Sequence, residues 1–432
     1  MLKAGFGTVN ITPPLGCALQ GYFGPRTSEL IHDPLFASSM VIDDGNQRIC
    51  LISCDLATLN SEITDKTRAL LKERFSIPED NVIICVTHTH TGPYVNKLST
   101  LSPKNKTVNK EWLSMLPSYL CSATTHAMNS LDTTKVVWMK GREENVSFNR
   151  RYLMKDGTVK TNPGIGNPDI VKPIGPIDPD VGIVAFGEDY LNIKGLVVNF
   201  ALHLDTIGGN NISADFPGVM RKTIRKFTGE DTGIVYTSGA MGDINHINFM
   251  GNKTEFEYFE FSQRIGTVLG AEVVKNISKI ENFESEAKIN TGRTLLKLPL
   301  KQYDDESLEK ARKNVLLTPG LHNLEYLSGL GMLKASRLGK DEVTTEIVAF
   351  SIGEVAFVSI PGEYFVELGL HIKKNSPFPF TFIVELGMEN LGYIAHSQAY
   401  DQQGYEPVSS PFARGAGEIL AEKAIDLLKS IR

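Results

Sequence analysis

No uninterrupted apolar run approaches the roughly 20 residues needed to cross a bilayer; the longest candidates, such as Gly195 to Leu202, are strand-length, which excludes a membrane span of that kind. No block of lysine and arginine stands out either, and 44 basic against 50 acidic side chains leave a formal charge of -6, so the electrostatic footprint of a nucleic-acid binder is missing. Cysteine is scarce and odd in number (Cys17, Cys50, Cys54, Cys85, Cys121), and three of the five sit in apolar strand-like runs. All five read as free structural thiols rather than a disulfide framework. The amino terminus, Met1 to Gly7, lacks the apolar core of a signal peptide, and the expected location is cytoplasmic. Strict short repeats and low-complexity tracts are absent as well. What remains, 41% hydrophobic and 22% charged residues over 432 positions, is an ordinary globular composition. It allows about three domain-sized cores or one large enzyme fold with insertions.

Three segments share one plan: an apolar strand, a polar group at its end, an amphipathic helix, and another apolar strand. The first runs from Arg48 to Leu56, through a helix that Ser61 can cap, to Asn81–Val86, and ends at Thr87-His88-Thr89-His90-Thr91-Gly92-Pro93. The second runs from Leu196–Leu202 into His203, through Asp215 and a helix with Val219, Met220, Ile224 and Phe227, to Gly233–Thr237. It ends at Gly242-Asp243-Ile244-Asn245-His246. The third has Val355–Ile360, the turn Pro361-Gly362-Glu363, a helix with Phe365, Leu368 and Ile372, and Phe380–Leu386, and closes at Asn390-Leu391-Gly392-Tyr393. Strand–helix alternation predicts an α/β fold, mixed β-sheets flanked by helices, with ligands at the strand ends. A helical insertion is expected around residues 304–338, and a final amphipathic helix carries Leu427, Leu428 and Ile431.

Of the residues that could carry chemistry, His88-Thr89-His90 stands out. Alternate residues at a strand end separate two imidazoles, so that one can bind a metal while the other faces a substrate; the plain alternative is a histidine hydrogen-bonded to backbone. His203 follows a buried strand and reads equally well as a satisfied core histidine. Glu363, at a strand-to-helix junction, reads equally well as an acid stabilised by the helix dipole. Two imidazoles and a carboxylate together match a catalytic zinc set with a position left for water. Arg150 offers an oxyanion partner or a surface cation, and nothing in the spacing selects Tyr393 or Tyr405 among the tyrosines.

These landmarks, together with Asn10-Ile11-Thr12-Pro13-Pro14, Ile31-His32-Asp33-Pro34-Leu35 and Asn149-Arg150, resemble the catalytic domain of the neutral/alkaline (non-lysosomal) ceramidases over nearly the whole chain. The resemblance implies a zinc ion held by His88, His203, Glu363 and Tyr393, with His90, Arg150 and Tyr405 facing the scissile carbonyl and His32 and Asn149 near the substrate. Tyr400 competes with Tyr405, because Ala395-His396-Ser397 departs from the family's threonine-rich stretch. The expected architecture is one zinc-hydrolase domain over residues 1–432, a short bacterial-type relative without the carboxyl-terminal β-sandwich. The expected activity, in lipid metabolism, is hydrolysis of a ceramide-like N-acyl amide by metal-activated water.

Three other readings stay open. One is esterase or lactonase chemistry on a small polar or carbohydrate-derived molecule. Another is an oxygen-preferring ion, Mg2+ or Ca2+, held by Asp215, Asp243, Asn245 or His246, either as the main site or as a second, structural one. The last is a non-catalytic zinc-stabilised binding protein. The expected partner is a small-molecule or lipid-like amide, with no nucleic acid and an open oligomeric state.

Overall fold

The computed structural model of the chain describes residues 1–95, 110–251, 258–317 and 319–432. Each of the three strand–helix–strand units forms a parallel pair at the edge of its own sheet: Arg48–Cys54 with Val82–Val86, Ile193–Phe200 with Gly233–Ser238, and Val355–Ile360 with Phe380–Glu385. Antiparallel strands extend each pair, so the sheets are mixed. The first adds Phe36–Asp43, Lys3–Asn10 and the short Asp132–Thr133. The second adds Asp180–Gly187 and Lys135–Arg142, and the third Glu342–Ile352 and Ile289–Pro299. The unit helices are Ser61–Phe75, Phe216–Thr228 and Val366–Asn375. Asn60, not Ser61, caps the first: extended, it accepts a hydrogen bond from the Ile63 amide at 3.1 Å, the usual N-cap geometry.

Why three sheets cohere follows from the period-two pattern of their strands. Ile49, Leu51, Ile83 and Cys85 from the first sheet, Val184, Phe186, Val197 and Val235 from the second, and Phe350, Val355, Phe357 and Phe382 from the third share one central cluster. The alternate residues point outward. Cys50, Ile52, Val198, Phe200 and Tyr236 pack under helices of the first two sheets, while Ala356, Val358 and Ile360 pack under Val366–Asn375 and Ala416–Ser430. Glycine permits close approach between the first and second sheets: a Cβ on Gly233 would fall 2.2 Å from Phe6. All five cysteines are buried and free, and among the described residues no helix is long and apolar enough to cross a membrane.

With the inner faces fixed, the strand ends converge. His88 leaves the second strand of the first unit, and His203 and Glu363 leave the first strands of the other two. Two helices, Asp305–Asn314 and Leu324–Leu338, occupy the 304–338 segment, capped by Asp304 and Asn323.

Phe357 lies 5.1 Å from the Phe350 ring and 4.9 Å from the Phe382 ring, centroid to centroid, and is fully buried. Phe357→Ala is predicted to cost about 3–5 kcal/mol through lost transfer energy and a residual cavity. Urea unfolding checks this, and a loss under about 1 kcal/mol would contradict a core shared by three sheets.

Candidate metal centre

His88 adopts φ 81°, a left-handed conformation that costs a non-glycine residue roughly 1–3 kcal/mol. Two contacts hold it: its amide donates to the Leu56 carbonyl at 2.9 Å, and its Nδ1 lies 2.6 Å from the Ala57 carbonyl. An Nδ1 proton donated to Ala57 leaves the Nε2 lone pair facing inward. The His90 amide donates to the Leu204 carbonyl at 3.0 Å, stapling the first histidine segment to the second. Gly21 leaves room for this: a Cβ there would meet the His90 side chain at 2.6 Å.

The three Nε2 atoms then meet, His90 to His88 at 3.2 Å and His203 to His90 at 3.1 Å. Hydrogen bonding alone does not resolve this contact, because one His90 Nε2 has to serve two neighbouring ring nitrogens. A cation accepting all the lone pairs does, and tetrahedral Zn–N bonds of about 2.0–2.1 Å place ligand nitrogens about 3.3 Å apart. Among the described residues, His88, His90 and His203 are the group whose ligand atoms converge in this way. Their donor set, buried nitrogen lone pairs, suits a transition ion such as zinc.

Glu363 adds an oxygen 3.7 Å from His88 Nε2. Burial acts to raise its carboxyl pKa, but His88, His203 and a hydrogen bond from Tyr393 outweigh that and hold it well below the usual carboxylate range. A short parallel ladder pairs Glu363 with Tyr393, with the Glu363 amide donating to the Gly392 carbonyl at 3.0 Å. Burial drives the His90 pKa down to about 3, helped by His88, and lowers that of His203 as well. Both rings are therefore neutral at pH 7, the form a metal requires.

The other sequence candidates divide. Tyr405 stands with its ring 5.2 Å from that of Tyr393 and lines the same cavity of about 210 Å³ as His88, His90, Glu363 and Tyr393. Tyr400 turns away, donating to the Phe412 carbonyl at 3.1 Å. Arg150 is buried behind the tyrosines, its Nε 2.8 Å from Glu406 and its Nη2 2.8 Å from the Gly242 carbonyl and 3.1 Å from Tyr393 Oη. Burial opposes its charge, but Tyr393 and Glu406 more than compensate and raise its pKa. Its Nε and Nη2 are thus engaged, Nη2 with Tyr393, which lines the cavity that Arg150 itself does not line.

Asn149 and His32 also lie off the wall. Asn149 donates to Asp243 at 2.8 Å, and His32 stacks on Phe259 with ring centroids 3.9 Å apart. Among the described residues, the side chains expected to hold Mg2+ or Ca2+ do not converge as a group. Asp243 accepts from the Val366 amide and from Asn149, Asn245 bonds Asn162 and the Ile247 amide, and Asp215 caps Phe216–Thr228. These loop acids do the backbone work common to such residues.

Sequence reasoning missed three groups. Glu406, fully buried, serves both Arg150 and Arg151. Asp205, 3.3 Å from His246, acts electrostatically on His203 and His90. Lys334, on the insertion, lines the cavity. The adjacent Arg150-Arg151 pair demands a buried acid, but nothing in linear spacing names Glu406.

The family profile described as neutral/alkaline non-lysosomal ceramidase, N-terminal, matches residues 2–224, just over half of the chain. The chain belongs to the neutral/alkaline non-lysosomal ceramidase family. Neutral ceramidase of Pseudomonas aeruginosa is 26% identical over 230 residues, 50% of this chain and 32% of that protein, so the match spans about a third of the curated relative. The crystal structure of neutral ceramidase from Pseudomonas aeruginosa aligns with a TM-score of 0.76 at 17% identity, over 99% of this chain and 74% of that one. A ceramidase structure complexed with C2 aligns equally, TM-score 0.76 and 17% identity, over 100% and 75%. These structural alignments establish a shared fold.

Two predictions follow from the geometry. Glu406→Gln leaves two buried guanidinium groups without their carboxylate and should cost about 3–5 kcal/mol in urea unfolding; a change under about 1 kcal/mol would show that the acid is dispensable. For metal-free protein, His90 binds its proton only near pH 3 when folded but near pH 6.5 when unfolded. The unfolded state therefore binds more protons between those values, so stability falls with falling pH by up to about 1.4 kcal/mol per unit. His90→Asn should flatten the pH 4–6 slope of the urea midpoint, and an unaltered slope would rule His90 out as its source.

Proposed function

We propose that this chain is a zinc-dependent amidohydrolase cleaving a ceramide-like N-acyl bond, and that residues 1–432 form one catalytic domain. The observation that carries the proposal is the convergence of His88 and His203 nitrogens with the Glu363–Tyr393 pair at the end of a cavity also lined by Tyr405. In this reading His88, His203, Glu363 and Tyr393 hold the ion. When bound, it supplies Lewis-acid polarisation of a carbonyl and water acidified to a pKa near 7.

The chain's own residues supply the rest. His90, neutral and on the cavity wall beside Tyr22 at 5.3 Å between ring centroids, is placed to receive or return a proton at Nε2. Tyr405, whose hydroxyl stays protonated because burial raises its pKa, donates a hydrogen bond to an oxyanion. Arg150 fixes the Tyr393 hydroxyl through its Nη2. Ester or lactone cleavage would use the same groups. The cavity of about 210 Å³ opens to solvent and is below the ~300–1,000 Å³ of ordinary ligand pockets, which supports its holding the bond and its immediate neighbours while the rest of a substrate extends outward.

The three-nitrogen contact favours a second ligand set, His88, His90 and His203, with Glu363 and Tyr393 in the surrounding layer. Zinc content of purified variants separates the two. In the first, His88→Ala and Glu363→Ala lose the metal, while His90→Ala keeps it and loses about 100-fold or more in kcat on fluorogenic amides. In the second, His90→Ala loses the metal as well. Tyr405→Phe is expected to lower kcat about 100-fold at full zinc occupancy. Stoichiometric zinc without turnover of any amide, ester or lactone would overturn the hydrolase and favour a binding protein.

A further inference from the structure

The insertion helix Leu324–Leu338 presents Tyr326, Leu330, Lys334 and Leu338 to the cavity. They recur every fourth residue and so form one stripe. Three of the four belong to an apolar wall. Tyr326 packs edge-on against Phe23, which packs edge-on against Tyr405, at 5.7 and 5.8 Å between ring centroids. The fourth is an ammonium group. Its Nζ lies 3.9 Å from where a Cβ on Gly392 would sit, directly before Tyr393.

A charge in such a stripe is costly unless it is paired. Among the described residues Lys334 has no hydrogen bond or ion pair. Glu363 is the carboxylate that acts on it electrostatically, and in the proposed centre that charge belongs to the metal. Lys301 behind it has its own Nζ engaged by the Pro407 and Val408 carbonyls at 2.9 and 2.7 Å, and burial, with Lys334, pushes its pKa down to about 7, so Lys334 is the cation that faces the cavity. Burial lowers the Lys334 pKa and Glu363 raises it; an arriving anion acts in the same direction as Glu363.

We propose that Lys334 is the anchor for a carboxylate on the substrate, so that the amide cleaved is anionic, of the N-acyl amino acid or dicarboxylic monoamide class, rather than a neutral ceramide. The assignment of a cleaved amide rests on the hydrolase reading above; the anion anchor does not. Water adds hydroxyl to the acyl carbon, the C–N bond breaks, and the nitrogen takes the proton, giving an acid and an amine with no further reactant. A charge-assisted pair in a partly desolvated cavity selects strongly for an anion over a neutral isostere.

Four amides test this: N-octanoylglycine against N-octanoylethanolamine, and N-octylsuccinamic acid against N-octyl-4-hydroxybutanamide, which place the carboxylate on the amine or the acyl half. One anionic member should exceed its neutral partner at least 10-fold in kcat/KM. Lys334→Met should collapse that ratio at least 10-fold, and Lys334→Arg should restore most of it, at equal zinc content and thermal midpoint. Equal cleavage of both partners, or a ratio that survives Lys334→Met, overturns the proposal. Calorimetric binding of the same four amides reads the anchor without turnover. A 10-fold preference for an anion that vanishes in Lys334→Met, with no amide cleaved, upholds the anchor and overturns the hydrolase, whereas equal binding overturns the anchor itself.

Discussion

Three imidazole nitrogens held within 4.8 Å of one another in a buried place form the contact on which the rest of the structure depends. Burial, helped by the neighbouring rings, lowers the proton affinity of His90 and His203, which leaves both neutral with lone pairs available to a cation. The backbone fixes the His88 ring and ties the segments that carry the other two. His88 is held by the Ala57 and Leu56 carbonyls in a left-handed conformation, and the His90 segment is joined to the His203 segment through Leu204. The core shared by three sheets supplies the rigidity, since it sets where the strands end.

Behind this centre lies a second arrangement of charge. Glu406 neutralises Arg150 and Arg151 together, and Arg150 in turn holds Tyr393 beside Glu363. Such a network tolerates burial because its main donors and acceptors meet partners, and removal of one member leaves the others in low dielectric. Arg150 thus meets the cavity wall through the Tyr393 hydroxyl.

The cavity joins distant parts of the chain. Its floor comes from strand ends, and one wall comes from helix Leu324–Leu338, carrying Tyr326, Leu330, Lys334 and Leu338. The histidines and Glu363 come from the ends of the sheets, whereas the facing side chains come from a helix that packs on them.

The sequence by itself determined the three strand–helix–strand units, because period-two and period-3.6 apolar patterns are local properties, and it placed His88, His203 and Glu363 at strand ends. The family motifs singled out Tyr393 and Tyr405 as well. Only the tertiary structure decided what those residues face. It put His90 against His88 and His203, turned Tyr400 toward the Phe412 carbonyl, gave Asn149 to Asp243, and spent Asp215, Asp243 and Asn245 on backbone and side-chain bonds instead of a second ion. It also brought Glu406 to Arg150 across 256 positions of sequence. Periodicity records which face of an element is buried, whereas partnership between side chains depends on how separate sheets dock, and no local pattern encodes that distance.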